Sequence, residues 1–330
     1  MKELIRRPKV YKLYGDKKED GKKFVMESKY AVVLLAGGQG SRLEVKGAKG
    51  KYNVPFTSGK IKSIFEIQAK KLQKLNVPLY VMVSTDNEKD TKEFFKENKN
   101  FGLNVNFFIQ SNLPLKDLDG EDLKIDGKKV YASSGHGDVV KAIQPLIPEM
   151  EKNGIERVMI SNIDNILSTL VDVDFIGESI DNDLVLKVVE KEKPDEKVGV
   201  FVLDDNNRLK CLEYSEIPEN LREMRDNMGL YYNLSNIMVQ IISIKALKNL
   251  SKKNVPIHLA YKKKKIEGKI VEFIKQERFL FDYYQYIDNF KLFMVLKERN
   301  FAPIKDLESV DNAVKLYEAE MRRTNQNDEI

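Results

Sequence analysis

The sequence is poor in the residue types on which several common kinds of site depend. Only one cysteine, Cys211, and two histidines, His136 and His258, occur among its 330 residues. A single cysteine excludes an internal disulfide framework, and so few cysteines and histidines argue against a His/Cys zinc site. Any metal that this chain binds should therefore be a hard ion held by carboxylate and phosphate oxygens.

Long apolar segments and a strong charge of one sign are also missing. No stretch approaches the roughly eighteen apolar residues of a membrane span, and the first residues lack the apolar core of a secretory signal. The 56 basic and 51 acidic residues are mixed along the chain and leave a net charge of only +5. We therefore expect a cytoplasmic protein that binds neither membranes nor nucleic acid.

The most informative segment is a glycine-rich loop that follows a buried strand. Near one another in this loop stand three glycines and two cations: Gly37, Gly38, Gly40, Arg42 and Lys49. The glycines let backbone N–H groups approach an anion closely, while the cations supply positive charge. The loop therefore predicts a site for the phosphates of a nucleotide.

Two commoner glycine loops do not fit this spacing. A P-loop needs more widely spaced glycines followed by Lys and Ser or Thr, and the dinucleotide fingerprint needs a glycine where Leu43 stands. Neither a P-loop ATPase nor an NAD enzyme is favoured. A plain strand-to-helix turn is the structural alternative, but such a turn rarely needs three glycines together with two cations.

Strand and helix patterns alternate along the first half of the chain. Buried strands are predicted at 30–35, 79–83, 105–109 and 157–161. Helices are predicted between them, near 64–75, 88–97 and 138–146. This alternation favours an α/β fold with a mostly parallel sheet and helices on both faces. Because ligands bind beyond the carboxyl ends of such strands, one crevice should collect the loops 36–53, 84–86, 110–114 and 162–165.

The second half of the chain has a different pattern. Short strands at 184–190, 199–203 and 209–214 predict a small antiparallel insertion. Strand and helix patterns return at 237–250 and 279–297, and the charged tail after about Glu318 is expected to fray.

Residues 133–138, Ser-Ser-Gly-His-Gly-Asp, precede a predicted helix. Gly135 and Gly137 would let the backbone approach a flat ligand, and the helix N-terminus could face an anion. The structural alternative is a helix cap by Asp138. The second glycine and His136 are not needed for capping.

Asp164 follows a buried strand and is the candidate metal ligand. Magnesium commonly takes one or two protein carboxylates and leaves its other positions to substrate and water. The alternative is an aspartate in a turn. The basic run 262–265 is either a solvated strand end or part of a phosphate-facing wall, and the sequence leaves both open.

Taken together, these segments resemble the UTP-dependent sugar-1-phosphate uridylyltransferases, which include the UDP-N-acetylglucosamine and UDP-glucose pyrophosphorylases. The resemblance covers roughly residues 28–307. The family signature Gly-Gly-x-Gly-(Ser/Thr)-Arg-Leu followed by Pro-Lys-Gly appears at 37–43 and 48–50, with Ala48 in place of the proline. Segment 63–68 is similar to the helix that follows this signature in the family. Segment 108–114 is similar to the family segment whose glutamine reads uracil.

The resemblance implies a Rossmann-like mixed sheet of the nucleotide-diphospho-sugar transferase type. It also implies an N-terminal arm (1–27), a catalytic domain (28–307) and a C-terminal helical tail (308–330). Within the catalytic domain, a nucleotide half would span about 28–165 and a sugar half about 166–307.

The same resemblance implies roles for particular residues. Nucleotide contacts are expected from Leu35, Ala36, Gly37, Gly38, Gln110, Gly135, His136 and Gly137, with Gln110 reading uracil. Sugar contacts are expected from Asn162, Glu213, Asn233 and Lys263. The catalytic cations would be Arg42 and Lys49 on the leaving pyrophosphate and Lys275 on the attacking group, and Asp164 would hold Mg²⁺.

The implied activity joins UTP to a sugar 1-phosphate and releases pyrophosphate. Segments 258–263 and 274–282 are most similar to the acetylglucosamine branch, whereas 135–138 is typical of the glucose branch. We expect N-acetylglucosamine 1-phosphate as the sugar substrate, with glucose 1-phosphate as the alternative. Subunit number cannot be read from the sequence.

Two more distant alternatives remain open. A glycosyltransferase on the same sheet would use an Asp-x-Asp metal pair, but Asp172-Val-Asp174 follows the Asp164 loop instead of standing after a predicted strand. A non-catalytic nucleotide-binding relative has only Ala48 in its favour.

Overall fold

The computed structural model describes residues 6–227, 229–266 and 269–327. Within these ranges the largest sheet has ten strands, eight of which form one continuous path. In chain order these eight are β1 (Val10–Tyr11), β2 (Tyr30–Leu35), β3 (Leu79–Val83), β4 (Val105–Ile109), β5 (Arg157–Asn162), β6 (Leu184–Glu190), β7 (Leu234–Ser243) and β8 (Phe290–Met294).

Across the sheet these strands follow the order β1-β8-β6-β7-β5-β2-β3-β4. Neighbouring strands are parallel except where β7 pairs antiparallel with β5 and with β6. The remaining two strands, Val200–Leu203 and Leu209–Leu212, form a hairpin that joins the sheet through the pair Val200 and Ser235. The expected mostly parallel, mixed sheet with a small antiparallel insertion is therefore confirmed.

Shorter elements surround this sheet. Two-stranded pairs are Asn53–Pro55 with Ile61–Ser63, Asn112–Pro114 with Tyr131–Ser133, Lys124–Ile125 with Lys128–Lys129, Arg225–Asp226 with Gly229–Leu230, and His258–Ile266 with Lys269–Glu277. The α-helices are Lys18–Met26, Ile64–Lys70, Glu88–Glu97, Val139–Ala142, Ile147–Lys152, Val173–Ser179, Glu219–Arg222, Ile244–Leu250, Lys297–Asn300 and Val310–Asn327. Stretches of 3-10 helix are Ser41–Leu43, Lys49–Lys51, Lys99–Gly102, His136–Asp138, Gln144–Leu146, Leu280–Tyr286 and Leu307–Ser309. None of the helices in the described ranges combines the length and the apolar character needed to cross a bilayer.

The central strands are buried on both faces, which explains their continuous apolar sequences. Every residue of β2 is buried. Successive side chains of a strand point to opposite faces, so Val32 and Leu34 join one apolar cluster and Ala31 and Val33 join the other. The sheet is therefore a two-sided core, and its carboxyl edge is left for polar loops.

Two expectations about the second half are wrong. The segment Leu184–Glu190 is β6 of the main sheet and not part of the insertion, because it lies between β7 and β8 with six of its seven residues buried. The tail does not fray at Glu318, since the helix Val310–Asn327 continues through it. Glu318 accepts hydrogen bonds from both the N–H and the hydroxyl of Thr57, which ties this helix to the first half of the chain.

One buried glutamine connects the helix Ile64–Lys70 to the loop that follows β5. Gln68, in the helix Ile64–Lys70, is completely buried, and its Nε2 donates to the carbonyls of Ile163 and Asn165 at 2.9 and 3.0 Å. Its Oε1 accepts a hydrogen bond from Lys71 Nζ, which also donates to two carbonyls further along the same loop. The loop that contains Asp164 is thus held from behind by side chains of one helical segment.

Replacement of Gln68 should therefore destabilise the protein. In Gln68→Leu the volume is nearly kept, but buried carbonyl groups lose their donor, and we expect a loss of about 2 kcal/mol in the free energy of unfolding. Urea denaturation would measure it. The exposed Gln73→Leu is the matched control and should change stability by less than about 0.5 kcal/mol. Equal effects of the two substitutions would contradict this account.

Candidate active site

Two adjoining cavities open beyond the carboxyl ends of β2 and β5. The first has a volume of about 240 Å³ and the second about 170 Å³. His136, Asn162 and Asp164 line both of them. The two cavities therefore share a wall and can hold two parts of one ligand or two ligands side by side.

The first cavity collects most of the loops that the fold was expected to bring together. It is lined by Leu35, Gly37, Gly38, Lys49, Met82, Gln110, Ser133, Gly135, His136, Asn162, Ile163, Asp164, Lys275 and Glu277. Asn87, which follows the loop at 84–86, supports the glycine loop, because its Nδ2 donates to the carbonyls of Ala36 and Gly38. The predicted crevice is confirmed for the loops 36–53, 110–114 and 162–165, with Lys275 added from the far half of the chain, whereas no residue of 84–86 lines it.

Gly37 makes room for the side chain of Gln110. A Cβ atom on Gly37 would lie 2.0 Å from Gln110 Nε2, so any other residue would displace this amide. Gln110 is 5% exposed, and its side chain has no hydrogen-bond partner among the described residues. An amide carries both donors and an acceptor, which is what the edge of a pyrimidine base requires.

Two cations of the first cavity are each paired with a carboxylate. Lys49 Nζ lies 2.6 Å from Asp164 Oδ2, and Lys275 Nζ lies 2.8 Å from Glu277 Oε1. The side chains of Lys49 and Asp164 are only 12% and 17% exposed. Their attraction is therefore less screened than that of a surface pair. The cavity is electrically balanced until an anion or a cation enters.

Arg42 is placed differently from these two lysines. It is exposed on the 3-10 turn Ser41–Leu43 and is not among the residues that line either cavity. Its role on the phosphates stays a prediction that requires its side chain to reach the cavity when ligand binds.

His136 is a neutral ring in this site. Burial lowers its pKa to about 4, so it carries no charge near pH 7. Its Nδ1 accepts the N–H of Leu280 at 3.2 Å, which places the remaining ring proton on Nε2. The ring stacks on Phe279, and Phe279 stacks in turn on His258. His258 is paired with Asp282 at 2.8 Å, and this hydrogen bond raises the pKa of His258.

The loop around His136 is joined to the strand that carries Lys275. Arg278 N donates to the Ser134 carbonyl, and Gly137 N donates to the Arg278 carbonyl. Gly135 has a φ of +90°, and a Cβ on it would lie 2.6 Å from the Arg278 carbonyl oxygen. Asp138 makes no helix cap with its side chain. It accepts the N–H of Ser111 instead, beside Gln110, so the capping alternative is wrong.

The second cavity contains only part of the predicted sugar contacts. Asn162 and Glu213 line it, and burial raises the pKa of Glu213, with a smaller contribution from Glu216. Asn233 does not line it, because this residue is buried with its Nδ2 near Glu190 Oε1 at 3.4 Å. Asn236 takes that place in the cavity wall.

Lys263 also lies away from both cavities. The hairpin register sets Lys275 opposite Ala260 and Lys263 opposite Glu272, so the two lysines occupy opposite faces. Lys263 is 73% exposed and pairs with Glu272. This placement favours the solvated interpretation for Lys263, while the side chains of 264 and 265 lie outside the described set.

Several cavity residues were not found from the sequence. Those of the second cavity are Lys197, Val198, Gly199, Asn236, Ile237, Met238, Phe281, Phe301, Pro303 and Lys305. Lys305 is held near the cavity by a backbone hydrogen bond of its neighbour, since Ile304 N donates to the Asp164 carbonyl. No local motif signals such a contact across the chain.

Met238 reaches the second cavity through an irregular strand. The register between β6 and β7 shifts next to it, and its φ is +55°, a left-handed value that is uncommon for a residue other than glycine. Such bulges redirect side chains and are frequent beside active sites. Together with Phe281, Phe301 and Pro303 it supplies apolar surface to the cavity lining, and these four side chains are called the apolar wall below.

Among the described residues, no group of three or more Asp, Glu, His or Cys side chains could hold a metal ion. Asp164 therefore stands alone as a candidate metal ligand, and its Oδ2 already accepts a hydrogen bond from Lys49 Nζ. One carboxylate fits Mg²⁺ when phosphate oxygens and water complete the coordination. The residues fit a magnesium–nucleotide complex better than a free metal ion.

Comparison with known proteins agrees with this geometry. Residues 3–328 match the family described as UTP–glucose-1-phosphate uridylyltransferase. An Arabidopsis thaliana protein named UDP-N-acetylglucosamine diphosphorylase 2 is 34% identical over 318 residues, which cover 87% of this chain and 63% of the relative. A probable UDP-N-acetylglucosamine pyrophosphorylase of Encephalitozoon cuniculi is 32% identical over 90% of this chain and 87% of its own length.

A solved structure shows the same architecture. The crystal structure of the uridine diphosphate N-acetylglucosamine pyrophosphorylase from Trypanosoma brucei has a TM-score of 0.83 and 30% identity over 91% of this chain and 67% of that one. This chain spans less than two thirds of the length of the Arabidopsis relative. The match over nearly all of its residues nevertheless shows that the chain belongs to the UTP–glucose-1-phosphate uridylyltransferase family.

Proposed function

We propose that this protein is a uridylyltransferase that converts UTP and N-acetylglucosamine 1-phosphate to UDP-N-acetylglucosamine and pyrophosphate. The observation that carries the proposal is the junction of the two cavities at Asp164. There a free amide and two lysines, each paired with a carboxylate, stand beside a second cavity with its own carboxylate, Glu213. A triphosphate and a sugar phosphate need such neighbouring sites.

The proposed reaction is an in-line displacement on the α-phosphorus of UTP. An oxygen of the sugar phosphate forms a bond to this phosphorus while the bond to the bridging β-phosphate oxygen breaks, and pyrophosphate leaves with the electron pair. No covalent intermediate with the protein is required. Catalysis then depends on holding two polyanions close together and on neutralising their charge.

The residues of the first cavity would divide this work. Gln110 and the backbone at Gly135 and Gly137 would orient uracil. Lys49 would leave Asp164 for the phosphates of the leaving group, helped by Arg42, and Lys275 would steady the attacking phosphate. Mg²⁺, when bound at Asp164 together with phosphate oxygens, would supply further neutralisation of charge.

Two observations favour the N-acetylated sugar. The second cavity has an apolar wall that suits an acetamido methyl group better than a sugar hydroxyl, and the relatives at 32–34% identity are named for UDP-N-acetylglucosamine. The glycine–histidine–glycine segment at 135–137 is the counter-indication, and it favours glucose 1-phosphate as the alternative. An Asp-x-Asp glycosyltransferase is not supported, because Asp172 pairs with buried Lys187.

Lys49→Ala should lower turnover by about 10²–10³-fold, since one preorganised cation on the developing charge is lost. Release of pyrophosphate from UTP and sugar phosphate measures it. Lys46→Ala removes the same charge from an exposed position of the same loop and should leave turnover nearly unchanged. Near-normal turnover of Lys49→Ala would show that this lysine has been assigned wrongly.

The choice of sugar can be tested with the unaltered protein. We expect kcat/KM for N-acetylglucosamine 1-phosphate to exceed that for glucose 1-phosphate by at least about tenfold, because the apolar wall gains contact only with the acetyl group. Parallel assays at equal UTP and Mg²⁺ give the ratio. A preference for glucose 1-phosphate would reverse the assignment of the sugar while leaving the reaction type intact.

A further inference from the structure

The backbone of Ala48 sets the position of Lys49, the residue that follows it in the glycine loop. The backbone of Ala48 has φ −66° and ψ 130°. A proline ring holds φ near about −65°. Ala48 thus has a backbone conformation that a proline could also adopt, and unlike proline it has an N–H that can donate a hydrogen bond.

The acceptor of this hydrogen bond is Asp90, in the first turn of the helix Glu88–Glu97. Asp90 Oδ2 accepts the N–H of Ala48 at 2.9 Å, and Asp90 Oδ1 accepts a hydrogen bond from Lys51 Nζ at 2.5 Å. Burial alone would raise the pKa of Asp90, but the two hydrogen bonds together with the positive charge of Lys51 outweigh burial and lower the pKa. The carboxylate therefore contacts the chain on both sides of Lys49.

Gly47 provides the space for this carboxylate. Its φ is +96°, and a Cβ on it would lie 2.3 Å from Asp90 Oδ2. The Gly47 carbonyl also accepts the N–H of Gly40, and Lys49 N donates to the Gly38 carbonyl. The two limbs of the glycine loop are thus joined to each other, and Asp90 joins them to the helix.

The contact with Asp90 depends on residue 48 not being proline. Proline has no backbone N–H to donate, and its Cδ would stand where the hydrogen of Ala48 now points toward Asp90 Oδ2. The ring and the carboxylate therefore exclude each other. Either one can hold the loop, but the two together would clash.

We propose that Asp90 is a positioning residue that fixes the backbone of Ala48 and thereby holds Lys49 in place for the triphosphate. This inference rests on the proposed function for its kinetic consequence. The contact itself belongs to the unliganded protein and can be tested without any substrate.

Three variants test the proposal: Asp90→Ala, Ala48→Pro and the double variant. We expect Asp90→Ala to lower kcat/KM for UTP about tenfold, because the loop loses its anchor. Ala48→Pro should also be impaired, because its ring meets the carboxylate. The double variant should return to within about threefold of the unaltered protein, since a proline is then accommodated and holds the same φ.

Two further variants separate this role from general effects on the helix. Asp90→Asn keeps an acceptor for the Ala48 N–H and should retain more activity than Asp90→Ala. Glu88→Ala removes another acidic residue from the same first turn and should leave kcat/KM for UTP nearly unchanged. The proposal would be overturned if Asp90→Ala and Glu88→Ala had the same kcat/KM for UTP. It would also be overturned if kcat/KM of the double variant were no higher than that of Asp90→Ala.

Hydrogen exchange without ligand gives a second readout. The amides of residues 49–52 should exchange faster in Asp90→Ala and return to slow exchange in the double variant. Unchanged exchange in Asp90→Ala would also overturn the proposal. If the unaltered protein neither binds UTP nor releases pyrophosphate, the proposed function is wrong, and the exchange data alone decide whether Asp90 holds the loop.

Discussion

The ion pair between Lys49 and Asp164 joins two loops that are 115 residues apart, and the organisation of the site depends on it. It is formed at the carboxyl edge of the sheet, where β2 and β5 lie side by side in parallel register. Each partner is supported from behind: Asp90 holds the loop of Lys49, and Gln68 holds the loop of Asp164. Neither support touches the cavity, yet both determine where the charges stand.

This pairing also explains how a strongly charged cavity can exist without ligand. A buried or half-buried charge without a partner is costly, so each lysine of the first cavity is matched by a carboxylate. A nucleotide with its metal ion brings both signs of charge and can replace each partner by another of the same sign. The site is thus stable when empty and remains suited to a polyanion.

The two cavities differ in the way they are built. The first uses backbone groups and glycines that allow close approach, whereas the second is lined by side chains from loops together with a bulged strand at Met238. Most of its lining comes from segments after residue 160, and His136 lines both cavities. In the proposed reaction, selectivity for the sugar would therefore depend on these loops and the bulged strand, and not on the glycine loop.

The sequence by itself determined the central strands of the sheet and the crevice at their carboxyl ends. Apolar periodicity identified β2, β3, β4 and β5, because burial on both faces requires continuous apolar residues, and the crevice followed from the parallel order of these strands.

The particular residues that line the cavities could not be obtained in this way. Asn233 and Asn236 stand in the same short segment, and only their positions relative to β7 decide which one meets the cavity. Lys263 and Lys275 are separated by the hairpin register, Lys305 is brought in by hydrogen bonds from a distant loop, and Asp90 reaches Ala48 across 42 residues. The tertiary structure decided these positions and contacts. A local sequence pattern encodes only the period and the backbone conformation of an element, whereas contacts between distant segments depend on how whole elements pack against one another.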